Sequence, residues 1–544
     1  MYPGFRLRYR VNDIPVWLDE DDPVLARRAA ERLGVGEASL REVAVVRRSL
    51  DARKKGNPRW LVNVEATLES ALRSLPAGVV PVAPPEPAPA PVRVPAAPPV
   101  VLGAGPAGLF CAFALLERGV RSVVLDRGKP ISPRRRDVAR LMRSGDLDPE
   151  SNMNFGEGGA GAYTDGKLGT RIHHPGVRKV VELFARFGGV ARILSEGKPH
   201  VGSDLLPGAV SAMVAELERG GCAFHWNARA VDLEVQDGRV RGVRLADGRT
   251  VDGDRVVLAP GNSAREIFEL FAARGWPVEA KPFAVGYRAE HPQALVDRIQ
   301  YGRAAGHPRL PPADYKLALN PRVGGAARGV FSFCMCPGGV VVPTPTEPGM
   351  QCTNGMSNSS RSSPLANAGI VVAVSPADFA AEGFTGPLAG LLWQRRWERA
   401  AFDLGGGGYR APAQRIPDFI AGQPGRAPGR SSYRPGLAHA DLSALYPPQI
   451  QAALREALRG FDRRMKGFVT EDGILVGVET RTSSPCRLVR GDDLQSPGIC
   501  GLYPAGEGAG YAGGIVSSAV DGLRVAEAIC RELGPRSASE GAAG

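Results

Sequence analysis

The chain has 544 residues, too many for one ordinary domain, so two or three domains with large buried cores are expected. Hydrophobic residues make up 43% and charged residues 23%, with 69 Gly and 47 Pro; this excludes a disulfide mini-protein and a mostly disordered chain, and implies many turns and at least one linker. The net charge is +12, but Lys and Arg are interspersed with Asp and Glu along the whole length, which reads as a solvated surface and makes nucleic acid an unfavoured partner.

The eight Cys show no CxxC pair, and no basic-then-apolar leader follows Met1, so reduced thiols and a cytoplasmic location are expected. No window holds 18 apolar residues free of charge, Gly or Pro, so no membrane partner is expected. Residues 1–75 alternate β-like runs (Phe5 to Val11, Glu42 to Arg48, Trp60 to Leu68) with a helical segment, Pro23 to Leu33, that follows four acidic residues. A small α+β module results. Residues 76–98 are nearly all Pro, Ala, Val and Glu, a composition that suits a semi-rigid extended linker.

The chemistry begins at residue 99. An apolar strand, Val100 to Leu102, runs into Gly103-Ala104-Gly105-Pro106-Ala107-Gly108, a helical run to Arg118, and a second strand, Ser122 to Leu125, ending in Asp126-Arg127. This is a βαβ unit carrying a dinucleotide fingerprint. Gly103 permits the tight turn, Gly105 lets the backbone approach a pyrophosphate, Gly108 lets helix pack on strand, and the helix N-terminus faces the phosphates. Asp126 stands where an acid accepts from a ribose hydroxyl.

The fingerprint alone does not separate FAD from NAD; three later segments point to FAD. Residues 228–261 read as a three-stranded meander returning to an apolar strand and the turn Ala259-Pro260-Gly261; this resembles the return strand of two-dinucleotide-fold flavoproteins, a resemblance that implies that Val231 offers its backbone to an adenine. Gly501 to Ile515, including Gly506, Glu507, Gly513 and Gly514, leads into a helix whose N-terminus suits the flavin N1/C2=O edge, with Glu507 as a ribityl ligand. The glycine-dense stretch Asn152 to Leu168, with Gly158, Gly159, Ala160 and Gly161, reads as a flavin-facing loop tipped by Asp165 and Lys167.

These segments resemble the FAD-dependent dehydrogenases of bacteria and plastids, within the wider glutathione-reductase-like two-dinucleotide-fold flavoproteins. The resemblance runs from Gly103 to about Ile529. It is carried by Asn154-Phe155-Gly156-Glu157-Gly158-Gly159-Ala160-Gly161, Asp165-Gly166-Lys167-Leu168, Gly261-Asn262-Ser263-Ala264-Arg265, Phe333-Cys334-Met335-Cys336-Pro337-Gly338-Gly339 and Thr480-Arg481-Thr482-Ser483-Ser484-Pro485. Asn262 stands where His is usual. The resemblance implies tightly held FAD and redox chemistry and supplies no substrate.

The expected fold is therefore α/β: a Rossmann-like FAD-binding domain of the glutathione-reductase type (99–275 and 474–533), an inserted α+β substrate domain (276–473), the N-terminal module and a polar tail (534–544). A short region from Gly405 to Gly436 reads as loop. The insert shows no second fingerprint, so NAD(P)H is expected to dock only transiently, if at all. Catalytic candidates are Lys167 and Tyr511 on the flavin side, Arg481 for a substrate anion, and the Cys334, Cys336 pair, which strand alternation puts on one face. His173-His174 has no third ligand at matching spacing, so no metal is expected. The expected activity is hydride transfer between a small organic substrate and flavin N5. An RNA-modifying flavoprotein and a non-catalytic flavin-binding regulator are the alternatives.

Overall fold

The computed structural model describes residues 7–83 and 89–536; the first two residues of the strand expected from Phe5, part of the linker and most of the tail lie outside them. Its centre is a five-stranded parallel sheet of short, apolar strands: Val100–Leu102, Val123–Leu125, Ala223–His225, Val256–Leu258 and Leu502–Pro504. Numbered by their order along the chain, they lie in space as 5-4-1-2-3, so the first strand is central and the last joins it from the far end of the chain. This is the mononucleotide-binding order, in which ligands meet the carboxyl ends of the strands. The meander Ala230–Gln236, Arg239–Leu245 and Thr250–Asp252 forms a separate antiparallel sheet, as the hairpin signals require.

Two helices cover the nucleotide end. Pro106–Glu117 and Ile515–Leu533 cross in direct backbone contact: a Cβ on Gly522 would lie 2.0 Å from the Ala107 carbonyl oxygen, and one on Gly506 would lie 2.7 Å from the Ala107 Cβ. The chain's last helix is thus locked onto its first phosphate-binding helix.

The insert builds a seven-stranded, mostly antiparallel sheet around Phe283–Pro292 and Leu365–Val374, with an aromatic core that includes Phe283, Phe379, Trp393 and Tyr446. Two expectations change here. Ile474–Glu479 was assigned to the FAD unit, yet it pairs with Phe283–Pro292 and Ala411–Arg415 and so belongs to the inserted sheet. The region 405–436 contains the strand Ala411–Arg415 and the helix Ile416–Ala421.

The N-terminal module is a four-stranded sheet whose fourth strand, Val79–Pro81, comes from the stretch expected to be linker. The described remainder of that stretch is pinned rather than free: Val92 is buried, its N–H donates to Arg118 O, and the Arg93 N–H donates to Gly534 O. No helix among the described residues is long and apolar enough to cross a membrane. Gly522→Ala should destabilise the chain by about 1–3 kcal/mol through overpacking, whereas Gly208→Ala, where a Cβ meets nothing within 4 Å, should be neutral or stabilising by up to about 1 kcal/mol. Urea denaturation of the two variants checks this.

Candidate functional site: an uncapped groove between two helix ends

The three fingerprint glycines are needed for different reasons. Gly103 sits at φ +109°, and a Cβ there would lie 2.1 Å from Ala259 O; one on Gly108 would lie 1.9 Å from Gly103 O. Both are excluded by the protein itself. A Cβ on Gly105 would meet only Gly159 Cα, at 3.9 Å, so packing does not require that glycine; it keeps the outer face of the turn open. Gly105 is also the N-cap of Pro106–Glu117, and no side chain caps that helix. Its first N–H groups and positive dipole end are left for an anion.

Asp126 is buried and already engaged. Its Oδ2 accepts from the Ala104 N–H at 2.9 Å, and its Oδ1 accepts from Gly128 (2.8 Å) and Gly156 (2.9 Å). Where a carboxylate turned to a ribose is expected, this one ties the phosphate loop to the glycine-dense loop. Arg127 likewise pairs with Glu150 and Glu266 across the Phe155 ring rather than reaching the groove.

The glycine-dense loop is fastened by groups that its sequence does not announce. Arg134 is fully buried and donates to three carbonyls, Asn152 O (2.8 Å), Glu157 O (2.6 Å) and Gly159 O (2.8 Å). Glu157 in turn accepts from the Ile131 N–H at 2.7 Å, at the start of the helix Ile131–Ser144. The Gly158 N–H donates to Ala104 O at 2.9 Å, and the short 3-10 helix Gly159–Tyr163 then lies against the phosphate loop. A Cβ on Gly161 would be 3.1 Å from Pro106 and 3.8 Å from Ile515.

The far end of the groove is the start of Ile515–Leu533. Gly514 is its N-cap, again without a side-chain cap, and Cβ atoms on Gly513 and Gly514 would meet nothing within 4 Å. Gly508 packs against Gly261, so the turn at Pro260 and Gly261 and the loop from Gly506 share one wall. Gly105, Gly159, Ala160, Gly513 and Gly514 are all solvent-accessible while the elements behind them are buried. Two uncapped helix ends and the glycine loop that touches both of them therefore lie together on one accessible face, the candidate groove.

Glu507 Oε1 accepts from Asn262 Nδ2 at 2.8 Å. Burial pushes Glu507 up to about 7, against the Asn262 hydrogen bond and Lys281, with Cys334 adding to the rise. Val231 lies at a bulge that takes it out of register with its partner strand, leaving it partly exposed. Tyr511 is clamped outside, its ring 3.9 Å from the Arg490 guanidinium and its hydroxyl accepting from the Arg490 N–H.

Arg481 is corrected. Its Nε and Nη2 both donate to the buried Glu398 carboxylate at 3.0 Å, and its Nη1 donates to Ser263 (3.1 Å) and Thr346 (2.9 Å). Arg265 joins the same carboxylate at 2.8 Å. Arg481 is thus a wall-forming ion pair, with its fork already spent.

Lys167 Nζ lies 3.0 Å from Asp165 and 3.5 Å from Cys336 Sγ. Asp165 also accepts from Ser357 Oγ at 2.6 Å and faces His200 Nε2 at 3.0 Å. Burial opposes charge on Lys167, yet Cys336, Cys334 and Asp165 hold it above the ordinary lysine range. Sequence reasoning missed His200, Asn262's bond to Glu507, and Arg134; of these only Asn262, in the Gly261 to Arg265 signature, carried a local signal.

These features define a nucleotide-binding flavoprotein site, and comparison with known proteins agrees. The family described as FAD-dependent protein, C-terminal domain-like, matches residues 282–482, and a domain of unknown function matches residues 8–67. The chain is 40% identical over 532 residues to an uncharacterized protein of Clostridium beijerinckii (strain ATCC 51743 / NCIMB 8052), covering 96% of this chain and 99% of that one. The chain belongs to this FAD-dependent family, and its cofactor is FAD. Among solved structures it is similar to tetracycline destructase Tet(51), at 13% identity over 80% of this chain and 82% of that one with a TM-score of 0.33. It is similar to glycine oxidase from Bacillus cereus ATCC 14579 at 10%, 81%, 99% and 0.33 on the same measures. For CtdE in complex with FAD the figures are 11%, 81%, 85% and 0.31.

Arg134→Met strands three buried carbonyls and should weaken FAD binding by about tenfold or more, read by quenching of free FAD fluorescence. Because Glu507 is raised in the fold, its stabilising contribution is full below its ordinary range and is lost as pH rises through about 7. The FAD-free chain should therefore lose stability between about pH 5 and 8, and Glu507→Gln should flatten part of that loss in denaturation measured across the range.

Proposed function

We propose that the protein is an oxidoreductase of the glutathione-reductase-like, two-dinucleotide-fold kind, transferring hydride between a small organic substrate and flavin N5. The observation that carries this reading is that the uncapped N-termini at Gly105 and Gly514 are both solvent-accessible and are joined by the glycine loop, whose Gly161 packs against both Pro106 and Ile515. When bound, FAD supplies reversible two-electron chemistry; the chain's share is orientation and electrostatics.

Gly105 to Gly108 and the helix behind them would hold the pyrophosphate, with Val231 at the adenine end. Gly513, Gly514 and Ile515 would hold the ring end, where the positive end of Ile515–Leu533 favours negative charge. Asn262 and Glu507 place an amide and a carboxyl of raised affinity for its proton beside them. Lys167, oriented by Asp165, brings a fixed cation that can hold an anionic substrate group. Next to the glycine loop, a pocket of about 270 Å³ has a floor of Met142, Met153 and Met356 and a rim of Arg135, Arg143 and Arg434. That lining suits a small organic acid, and a small-molecule substrate is favoured over RNA because the basic turn at Arg53 is ion-paired to Asp51 and packs through Gly56 onto Tyr301.

Purified protein should carry, or take up on reconstitution, one FAD per chain with yellow absorbance, and that flavin should bleach anaerobically with an organic-acid donor or with NADPH. Absence of flavin after reconstitution with excess FAD would overturn the reading. Co-purifying RNA with steep salt dependence would transfer it to the nucleic-acid class.

A further inference from the structure

Cys334 and Cys336 do not lie on a regular strand. In Val330–Cys336, Phe333 stands opposite Gly369 but Cys336 stands opposite Asn367, so one extra residue bulges out between them. Cys334 absorbs it at φ +43°, a left-handed backbone that is costly for a residue with a Cβ and that concentrates at functional sites. Met335 enters the core, Cys336 is buried, and Cys334 remains half-buried.

The bulge brings the sulfurs together. Cys336 Sγ lies 3.4 Å from Cys334 O and 3.5 Å from Lys167 Nζ. Arg288 Nη1 donates to Cys334 O at 2.9 Å, while its Nε and Nη2 hold Glu479 at 2.8 Å. The groups facing the pair are Lys167, Asp165 and His200 on one side, Arg288, Glu479 and Tyr315 on the other, and Glu507 across the groove wall. The adjacent Cys336 thiol favours the charged form of Cys334 against the effect of burial, with Lys167 and Arg288 adding, and Cys336 is raised.

We propose that Cys334 and Cys336 are a redox-active dithiol that exchanges two electrons with the FAD of the adjoining groove. This rests on the FAD-dependent oxidoreductase reading. On oxidation the two Sγ atoms join, the one proton leaves Cys336, and the proton and two electrons convert FAD to FADH⁻. In reverse, FADH⁻ returns two electrons and one proton, the S–S bond breaks, and a thiolate remains on Cys334 with a thiol on Cys336. Atoms and charge balance without another reagent, and Lys167 neutralises the thiolate. Cys334, less buried than Cys336, would be the sulfur that meets an incoming disulfide or thiol.

The test is an anaerobic dithionite titration of oxidised, FAD-loaded protein, with peptide mass spectrometry after iodoacetamide alkylation. The expected result is four electron equivalents per FAD in the native chain and two in Cys336→Ser, with a Cys334–Cys336 disulfide in the oxidised native protein. In dithiothreitol-reduced protein, Cys334 should alkylate with a midpoint below that of an ordinary thiol, about 8.5, and Lys167→Met should move the midpoint upward. Two equivalents in the native chain, with both cysteines alkylated after oxidation, would overturn the dithiol while leaving the flavin reading intact; absence of bound flavin would overturn both. If Cys336→Ser does not fold, the native electron count and peptide masses decide alone.

Discussion

Three stretches of chain that meet at the groove each need an acceptor for a backbone N–H, and a single carboxylate serves all of them. Asp126 takes Ala104, Gly128 and Gly156 on two oxygens, in charge-assisted bonds inside a buried setting where an orphaned N–H costs about 1–3 kcal/mol. Arg134 does the converse for three carbonyls of the next stretch. Both charges are spent on backbone, and glycine, the most flexible residue, is thereby held rigid where the cofactor requires close approach.

A second constraint joins the inserted sheet to this unit. Arg265, at the start of the helix Arg265–Ala273, and Arg481, just past Ile474–Glu479, share the fully buried Glu398 of the helix Ala389–Leu404. Burial alone would raise Glu398, but the two guanidiniums hold it down to about 2. Removing Glu398 would leave the buried Arg481 guanidinium without its counter-charge, a change typically costing about 3–5 kcal/mol, so the wall between the groove and the insert is fixed by electrostatics as well as packing. The same wall keeps Lys167 and the Cys334 bulge beside the FAD unit although they come from stretches more than a hundred residues apart.

The division between what was legible in the sequence and what was not follows the range of the forces involved. Gly103, Gly105 and Gly108 were readable because the turn and the helix they open are local, and the 230–258 meander because its Asp-Gly turns set its register. The run Ile474 to Glu479 is five apolar residues and a glutamate, and nothing in it says which sheet will take it. Arg134, in a run of three arginines, looks solvated until the loop some twenty residues on encloses it. Arg481 looked equally suited to a substrate anion or an ion pair, and its partner lies 83 residues away. Val92 sits in a Pro/Ala stretch with no visible partner, yet Arg118, at the end of Pro106–Glu117, supplies one. The sulfur pair shows the same limit: strand alternation predicts two same-face cysteines, while the bulge and the lysine that set their chemistry are tertiary.

The account stands on one nucleotide lying along one groove, and a structure of the FAD-bound protein tests that most directly. The expected density is a single FAD per chain with its pyrophosphate hydrogen-bonded to backbone N–H groups at the start of Pro106–Glu117, its ring end against Gly513 and Gly514, and Asp126 still bonded to Ala104 and Gly156. A dinucleotide bound elsewhere, or one whose pyrophosphate makes no contact with the Gly103–Gly108 turn, would contradict it.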